Sequence, residues 1–226
     1  MAKRNKIIAF VGPNGVGKST QMALLIPALR KRGVRVRKTW VASHHLFVWV
    51  LGIILVKLGY PKDHWTTVNP DLIPAVNFGS LLEGKGIRVK IGKVILLSLE
   101  ILNLVIIDLV KVRIPRMFGY CIIIEKYLPV TIADLSDIFG SNFINGFWAK
   151  FVIKLIPKDL CCIYLYADYE NLQKRRGDKT ESKEYLDLQC KISKWYAEHN
   201  PCLVIDTTKK NIEESHEMIM SYLNLV

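Results

Sequence analysis

A nine-residue string near the start of the chain constrains the fold more than any other feature: Gly12-Pro13-Asn14-Gly15-Val16-Gly17-Lys18-Ser19-Thr20. It has the spacing G-x-x-x-x-G-K-[ST]. The apolar run at residues 6–11 (KIIAFV) precedes it and reads as a buried strand. A helix-compatible stretch follows at residues 18–32, despite Pro27, and Gly33 closes it. Strand, glycine-rich turn and helix in that order make a phosphate cradle. Glycines let main-chain N–H groups turn inward around phosphate oxygens. The positive end of the following helix faces the same oxygens. Lys18 then bridges β- and γ-phosphates, and the Ser19 hydroxyl suits a Mg²⁺ ion. A ligand-free strand–helix turn would leave Gly-Lys-Ser-Thr unexplained, so nucleoside triphosphate binding is the expectation, with Gly12, Pro13, Asn14, Gly15, Val16, Gly17, Lys18, Ser19 and Thr20 as the binding residues.

The charge distribution agrees with an anionic ligand. Net charge is +12, and no Asp or Glu occurs before Asp63. Residues 1–62 hold twelve Lys/Arg, while the rest of the chain holds 20 basic and 20 acidic residues. A field of that sign favours phosphates, nucleic acid or an acidic membrane. Arg30-Lys31-Arg32 and Arg35-Val36-Arg37-Lys38 carry no interleaved aromatics, so a nucleic-acid surface is not expected. The five cysteines (121, 161, 162, 190, 202) are odd in number and lack CxxC spacing. Reduced thiols in a cytoplasmic protein are the expectation, rather than a metal site or disulfide framework. The six-residue apolar run at 7–12 is too short for a signal peptide. His44 and His45 have no further ligands beside them and are weak metal candidates.

Two apolar stretches bear on membranes. Residues 46–56 are eleven without a charge, whereas a span needs about 20. Residues 91–112 include Lys93, Glu100, Asn103, Asp108 and Lys111. At about 100° per residue, Lys93, Glu100 and Lys111 fall within about 20° of one another, flanked by Asn103 and Asp108. The segment reads as a mostly buried helix with a narrow polar stripe. Peripheral membrane contact through either stretch is the lesser alternative.

Further strands are expected at 34–41, 120–124, 160–166 and 203–205. Helices are expected at 44–60, 91–113, 182–199 and 211–224. Residues 61–88 read as irregular and 130–156 as mixed helix and loop. Such alternation predicts an α/β fold with a parallel sheet covered on both faces.

The loop by itself looks like that of an ATP-binding cassette. No LSGGQ-type signature follows, however, and the motif starts too early. The absence of NKxD disfavours a switch GTPase. The kinase branch remains, and it needs a carboxylate and a cation near the transferred group. Asp108, Glu125 and Asp206 each follow an apolar run. Asp108 reads as a surface acid beside the helical stripe. Asp206 falls near a base-binding loop. Glu125 is followed by Lys126 and Tyr127, and is the candidate to orient Mg²⁺ or accept a proton from the acceptor. Lys126 would neutralise the acceptor's phosphate. A strand-end salt bridge is the competing reading of Glu125.

With these motifs the chain resembles the thymidylate kinase-like P-loop kinases over roughly residues 5–40 and 115–225. Glu125-Lys126-Tyr127 stands where that family has Asp/Glu-Arg-Tyr. Leu165-Tyr166-Ala167-Asp168, followed by Leu172 and Arg175-Arg176, stands where the family has the strand leading to an Arg-rich lid. Trp195-Tyr196 and Val204-Ile205-Asp206-Thr207 are similar to its ending. The resemblance implies a P-loop NTPase three-layer sandwich around a five-stranded parallel sheet. It implies a single domain over 1–226, with a basic lid at about 174–184 and an acceptor-side helical region at about 44–112. ATP and Mg²⁺ are the implied cofactors, with Ser19 and Glu125 at the metal. Lys18, Glu125, Lys126, Arg175 and Arg176 are the implied catalytic set. The implied reaction is phosphoryl transfer to a small-molecule acceptor, by default dTMP, and a homodimer is left open.

Departures fall mostly on the acceptor side. Asn14 replaces the family's Asp, Lys126 replaces Arg, Val130 replaces Ser and Asp134 replaces Tyr, while Ala133 is kept. Trp40 to His45 (WVASHH) stands in place of Arg-Glu-Pro-Gly. A kinase for another small molecule (a nucleoside, a sugar-derived or a lipid-linked substrate) is therefore an alternative. So is an ATP-binding regulatory or membrane-peripheral protein.

Overall fold

The computed structural model describes residues 6–41, 65–66, 75–76, 87–139, 143, 145–177, 180 and 182–225. The expected helix at 44–60, His44, His45, the apolar stretch 46–56 and lid residues Asp178 and Lys179 lie outside them.

The fold is α/β around a five-stranded, all-parallel sheet. The strands are β1 (Ile7–Val11), β2 (Val36–Trp40), β3 (Cys121–Glu125), β4 (Leu160–Tyr166) and β5 (Cys202–Asp206), in the spatial order β2-β3-β1-β4-β5. A separate two-residue antiparallel ladder pairs Trp65–Thr66 with Ala75–Val76. β1 lies at the centre, where Ile7 pairs with Ile122 on one side and Leu160 on the other. Both faces of β1 are covered, which is why its sequence, IIAFV, is apolar without alternation. Ile7, Ala9 and Val11 belong to one core, and Ile8 and Phe10 to the other.

The helices are α1 (Lys18–Lys31), α2 (Ile87–Asp108), α3 (Ile114–Met117), α4 (Leu128–Phe139), α5 (Phe147–Leu155), α6 (Tyr169–Arg176), α7 (Lys183–His199) and α8 (Ile212–Tyr222). Helices α1 and α8 contribute to the core under Ile8 and Phe10. Helices α2, α4, α5 and α7 contribute to the opposite one. Among the described residues, no helix is long and apolar enough to cross a membrane.

Helix α2 is the element that departs most from its sequence pattern. Its polar stripe faces inward: Glu100, Asn103 and Asp108 are all buried. Ile91, Val94, Ile95, Leu102, Ile106 and Leu109 are exposed. Asp108, expected at the surface, is only 2% exposed and accepts hydrogen bonds from Tyr127 Oη (2.9 Å) and Arg113 Nε (2.7 Å). The reason is local. Residues Leu109–Arg113 form a π-helical turn, whose wider winding stacks residues five apart. Arg113 therefore folds back onto Asp108, and the pair anchors the strand-end Tyr127 in the core.

Candidate functional site at the loop after β1

The carboxyl ends of the parallel strands lie along one edge of the sheet. The strand order reverses beside β1, and α/β sheets bind ligands outside such an edge at such a reversal. The loop Gly12–Gly17 leaves β1 at that place. Gly12, Gly15 and Gly17 all have positive φ (123°, 91° and 93°), a region that side chains disfavour. Gly12 has a second constraint, because a Cβ there would lie 2.0 Å from the Leu165 carbonyl oxygen. Lys18 is buried, and its Nζ donates to the carbonyls of Gly12 (2.8 Å) and Pro13 (2.6 Å). The ammonium is thus folded against the mouth of its own loop.

Glu125 ends β3, paired in register with Phe10 of β1 and Trp40 of β2. Ser19 Oγ donates to Glu125 Oε1 at 2.5 Å, across 106 residues of sequence. Glu125 Oε2 also meets Lys38 Nζ at 3.1 Å. Burial works to raise the Glu125 carboxyl. The hydrogen bonds from Ser19 and Lys38 and the charges of Lys38 and Lys18 outweigh it and hold the group below the usual carboxylate range. Glu125 therefore touches the loop serine and also forms the strand-end ion pair of the competing reading. Ser19 and Glu125 place two hard oxygen donors side by side beside the loop, the ligand type Mg²⁺ takes.

Lys126 follows at φ 55°, so the chain turns sharply out of β3. Its amide donates to Phe10 O and its carbonyl accepts from Val41 N, both at 3.3 Å. Its ammonium lies 6.0 Å from the ring centroid of Trp40. Trp40 is 46% exposed, so cation and aromatic face sit together at the strand edge. Tyr127 is fully buried on Asp108, and the third residue of the Glu-Lys-Tyr string is an anchor.

Against the glycine loop lies a cavity of about 410 Å³. Its lining includes Gly15, Gly17, Gln21, Arg175, Thr207 and Ile212. Gln21 is buried. Its Nε2 donates to Ile212 O (2.8 Å), while its Oε1 has no partner among the described residues. A donor group on a ligand would satisfy that oxygen. Arg175, at the end of α6, donates to Thr207 Oγ1 (3.1 Å) and Thr207 O (2.7 Å). The stem of Arg176 lies across the loop, since a Cβ at Gly15 would come within 2.8 Å of Arg176 Cδ. Asp206, ending β5, accepts from Thr208 N and stands beside Lys209. Its carboxyl lies below the usual range: burial opposes this, but hydrogen bonds from Thr208 and Tyr166 prevail.

The structure therefore brings the loop residues, Glu125, Lys126, Arg175 and Arg176 to one edge of the sheet. Sequence reasoning missed Lys38 and Gln21. Lys38 sits in a basic run that reads as a solvated edge, and only the pairing of β2 with β3 reveals its partner. Gln21 had a signal, because it directly follows Gly-Lys-Ser-Thr and the helix turns it inward. Among the described residues, no cluster of three or more His, Cys, Asp or Glu could hold a metal ion. No family model matches the chain, and no curated protein matches it.

Proposed function

We propose that the chain is an ATP-dependent P-loop phosphotransferase, as its resemblance to thymidylate kinase-like enzymes implies. One observation carries the reading. The left-handed glycine loop, the buried Lys18 and the Ser19–Glu125 pair lie together at the switch point of a parallel sheet, next to a cavity of nucleotide-compatible size. In this reading the cavity between Gly15, Gln21 and Thr207 takes base and ribose. The loop amides and the amino end of α1 surround the phosphates. Lys18 exchanges its bonds to Gly12 and Pro13 for phosphate oxygens. Ser19 and Glu125 would hold Mg²⁺, which would supply positive charge against the triphosphate. Arg175 and Arg176 approach from α6 as the basic lid, where an added arginine is worth about 10³–10⁵ in rate in related systems.

The acceptor would enter on the side of Trp40, Glu125 and Lys126. A nucleoside monophosphate, with dTMP the default, is the first candidate. Lys126 in place of Arg supplies a point charge without a bidentate fork. That favours testing sugar-derived and lipid-linked acceptors beside nucleotides.

The test is ADP formation from ATP·Mg²⁺ across a panel of acceptors. Acceptor-stimulated ADP release is expected. Lys18→Ala should abolish it and weaken ATP binding, whereas Lys126→Ala should lose turnover and keep ATP binding. Tight ATP binding with no acceptor stimulation would replace the kinase by a nucleotide-binding regulator. Normal turnover by Lys126→Ala would remove the acceptor site from this wall.

A further inference from the structure

We propose that Cys162 and Cys202 form a reversible disulfide that ties β4 to β5. The five cysteines are free thiols in the structure. Two of them are placed unlike the rest. Cys162 on β4 and Cys202 on β5 are direct register partners in adjacent parallel strands. Neighbouring strands lie about 4.8 Å apart, within the range of about 4.4–6.8 Å that disulfides span between Cα atoms. Both side chains point to the same face, into the core that α7 covers with Ile192 and Tyr196. Their sulfurs are 2.7 Å apart, and closure to a bond of about 2.05 Å moves them by well under an ångström.

The other three thiols lie outside this register pair. Cys161 precedes Cys162 on the strand and so faces the opposite core, where Cys121 also lies. Cys190 is on α7, and its carbonyl takes the Tyr164 hydroxyl at 3.5 Å. Access is asymmetric: Cys162 is buried, while Cys202 is partly open.

The chemistry follows from that asymmetry, with a low-molecular-weight disulfide as oxidant. Cys202 gives up its proton, and its sulfur attacks one sulfur of the small disulfide. This releases one small thiol and leaves a mixed disulfide on Cys202. Cys162 then loses its proton and attacks Cys202 Sγ, expelling the second small thiol. The two protein sulfurs are oxidised together by two electrons, and the small disulfide is reduced to two thiols. The bond closes a loop of 40 residues, long enough to restrict the unfolded chain considerably. It also joins the two strands that lead to Arg175 and Thr207 at the cavity.

The test uses the full chain, purified reduced and then incubated with oxidised glutathione. Thiols are counted in denaturant, and linked peptides are mapped without reductant. Two of the five thiols should be lost, and one linkage, between the peptides holding Cys162 and Cys202, should appear. The melting temperature should rise and return when reductant is added. Cys162→Ser should stop at the glutathione adduct on Cys202. Cys202→Ser should show neither linkage nor shift, and it carries the test if the buried substitution fails to fold. Five titratable thiols after treatment, a wild-type protein that stops at the Cys202 adduct, or a linkage through Cys121, Cys161 or Cys190 would each overturn the proposal. A correct linkage with no change in melting temperature would overturn its role as a tie. The readout needs no nucleotide, so the outcome is independent of the proposed kinase reaction.

Discussion

At Gly12 the backbone and its surroundings both demand glycine. The residue has φ 123°, and the space a Cβ would fill is already occupied by the Leu165 carbonyl. Gly12→Ala should destabilise the fold by about 3 kcal/mol or more, measured by denaturant unfolding, since it combines left-handed strain with a backbone clash. Gly17 has a similar φ but open space around it, so Gly17→Ala should carry the strain alone, about 1–3 kcal/mol. Glu125 makes a pH prediction whose sign follows from its lowered pKa. A depressed carboxyl is ionised throughout the neutral range, and its charged contacts are lost only as pH falls through the lowered value. Phosphotransfer should therefore be flat near neutrality and fail on the acid side. Lys38→Met removes one of the groups that depress the carboxyl, so the acid limb should move to higher pH in a kcat/KM profile. An unmoved limb would mean that the acid limb reports a group other than Glu125.

Among the elements, α2 shows how a helix accepts an inverted pattern. Burying Asp108 would be costly without partners, and the π-helical turn supplies one in Arg113 while β3's following turn supplies another in Tyr127. Burial, reinforced by Asp108, pushes the Tyr127 phenol well above its usual pKa, so it remains a hydrogen-bond donor at every ordinary pH. Tyr127→Phe should cost about 1 kcal/mol, whereas Asp108→Ala leaves the Tyr127 hydroxyl buried without its acceptor and should cost about 1–3 kcal/mol. Thermal or urea unfolding of the two variants gives the order directly. Equal losses would show that the carboxylate does no more than fill space. The polar stripe was legible from the spacing of Glu100, Asn103 and Asp108, but the helix is not mostly buried as expected: Ile91, Val94, Ile95, Leu102 and Ile106 stay exposed. The direction the stripe faces was not legible, because amphipathic periodicity gives the phase of a helix without saying which side meets the sheet.

Over the whole molecule, two cores sandwich one sheet, and the candidate site occupies the edge where loops from β1, β3, β4 and β5 converge. A ligand bound only by the folded state stabilises it by mass action. ATP·Mg²⁺ at a hundred times its dissociation constant should raise the melting temperature by about 5–10 °C for a chain of this length. Lys18→Ala should lose most of that shift. If wild-type protein shows no shift with any purine triphosphate, the proposed site fails at its first step. Features that depend on neighbours a few residues away are written in the chain itself. The glycine loop is one, because positive φ and the spacing to Lys18 are local properties. The strands are another: four were legible from short apolar runs between turns and β2 from its Val/Arg alternation, and their alternation with helices implied a parallel sheet. Tertiary structure alone decided which distant residues meet. Strand register sets Lys38 against Glu125 and Cys162 against Cys202, and the packing of α1 on the sheet sets Ser19 against the same carboxylate. A slip of one residue would send the strand side chains to the other face, and nothing within a single strand records which register its neighbour takes.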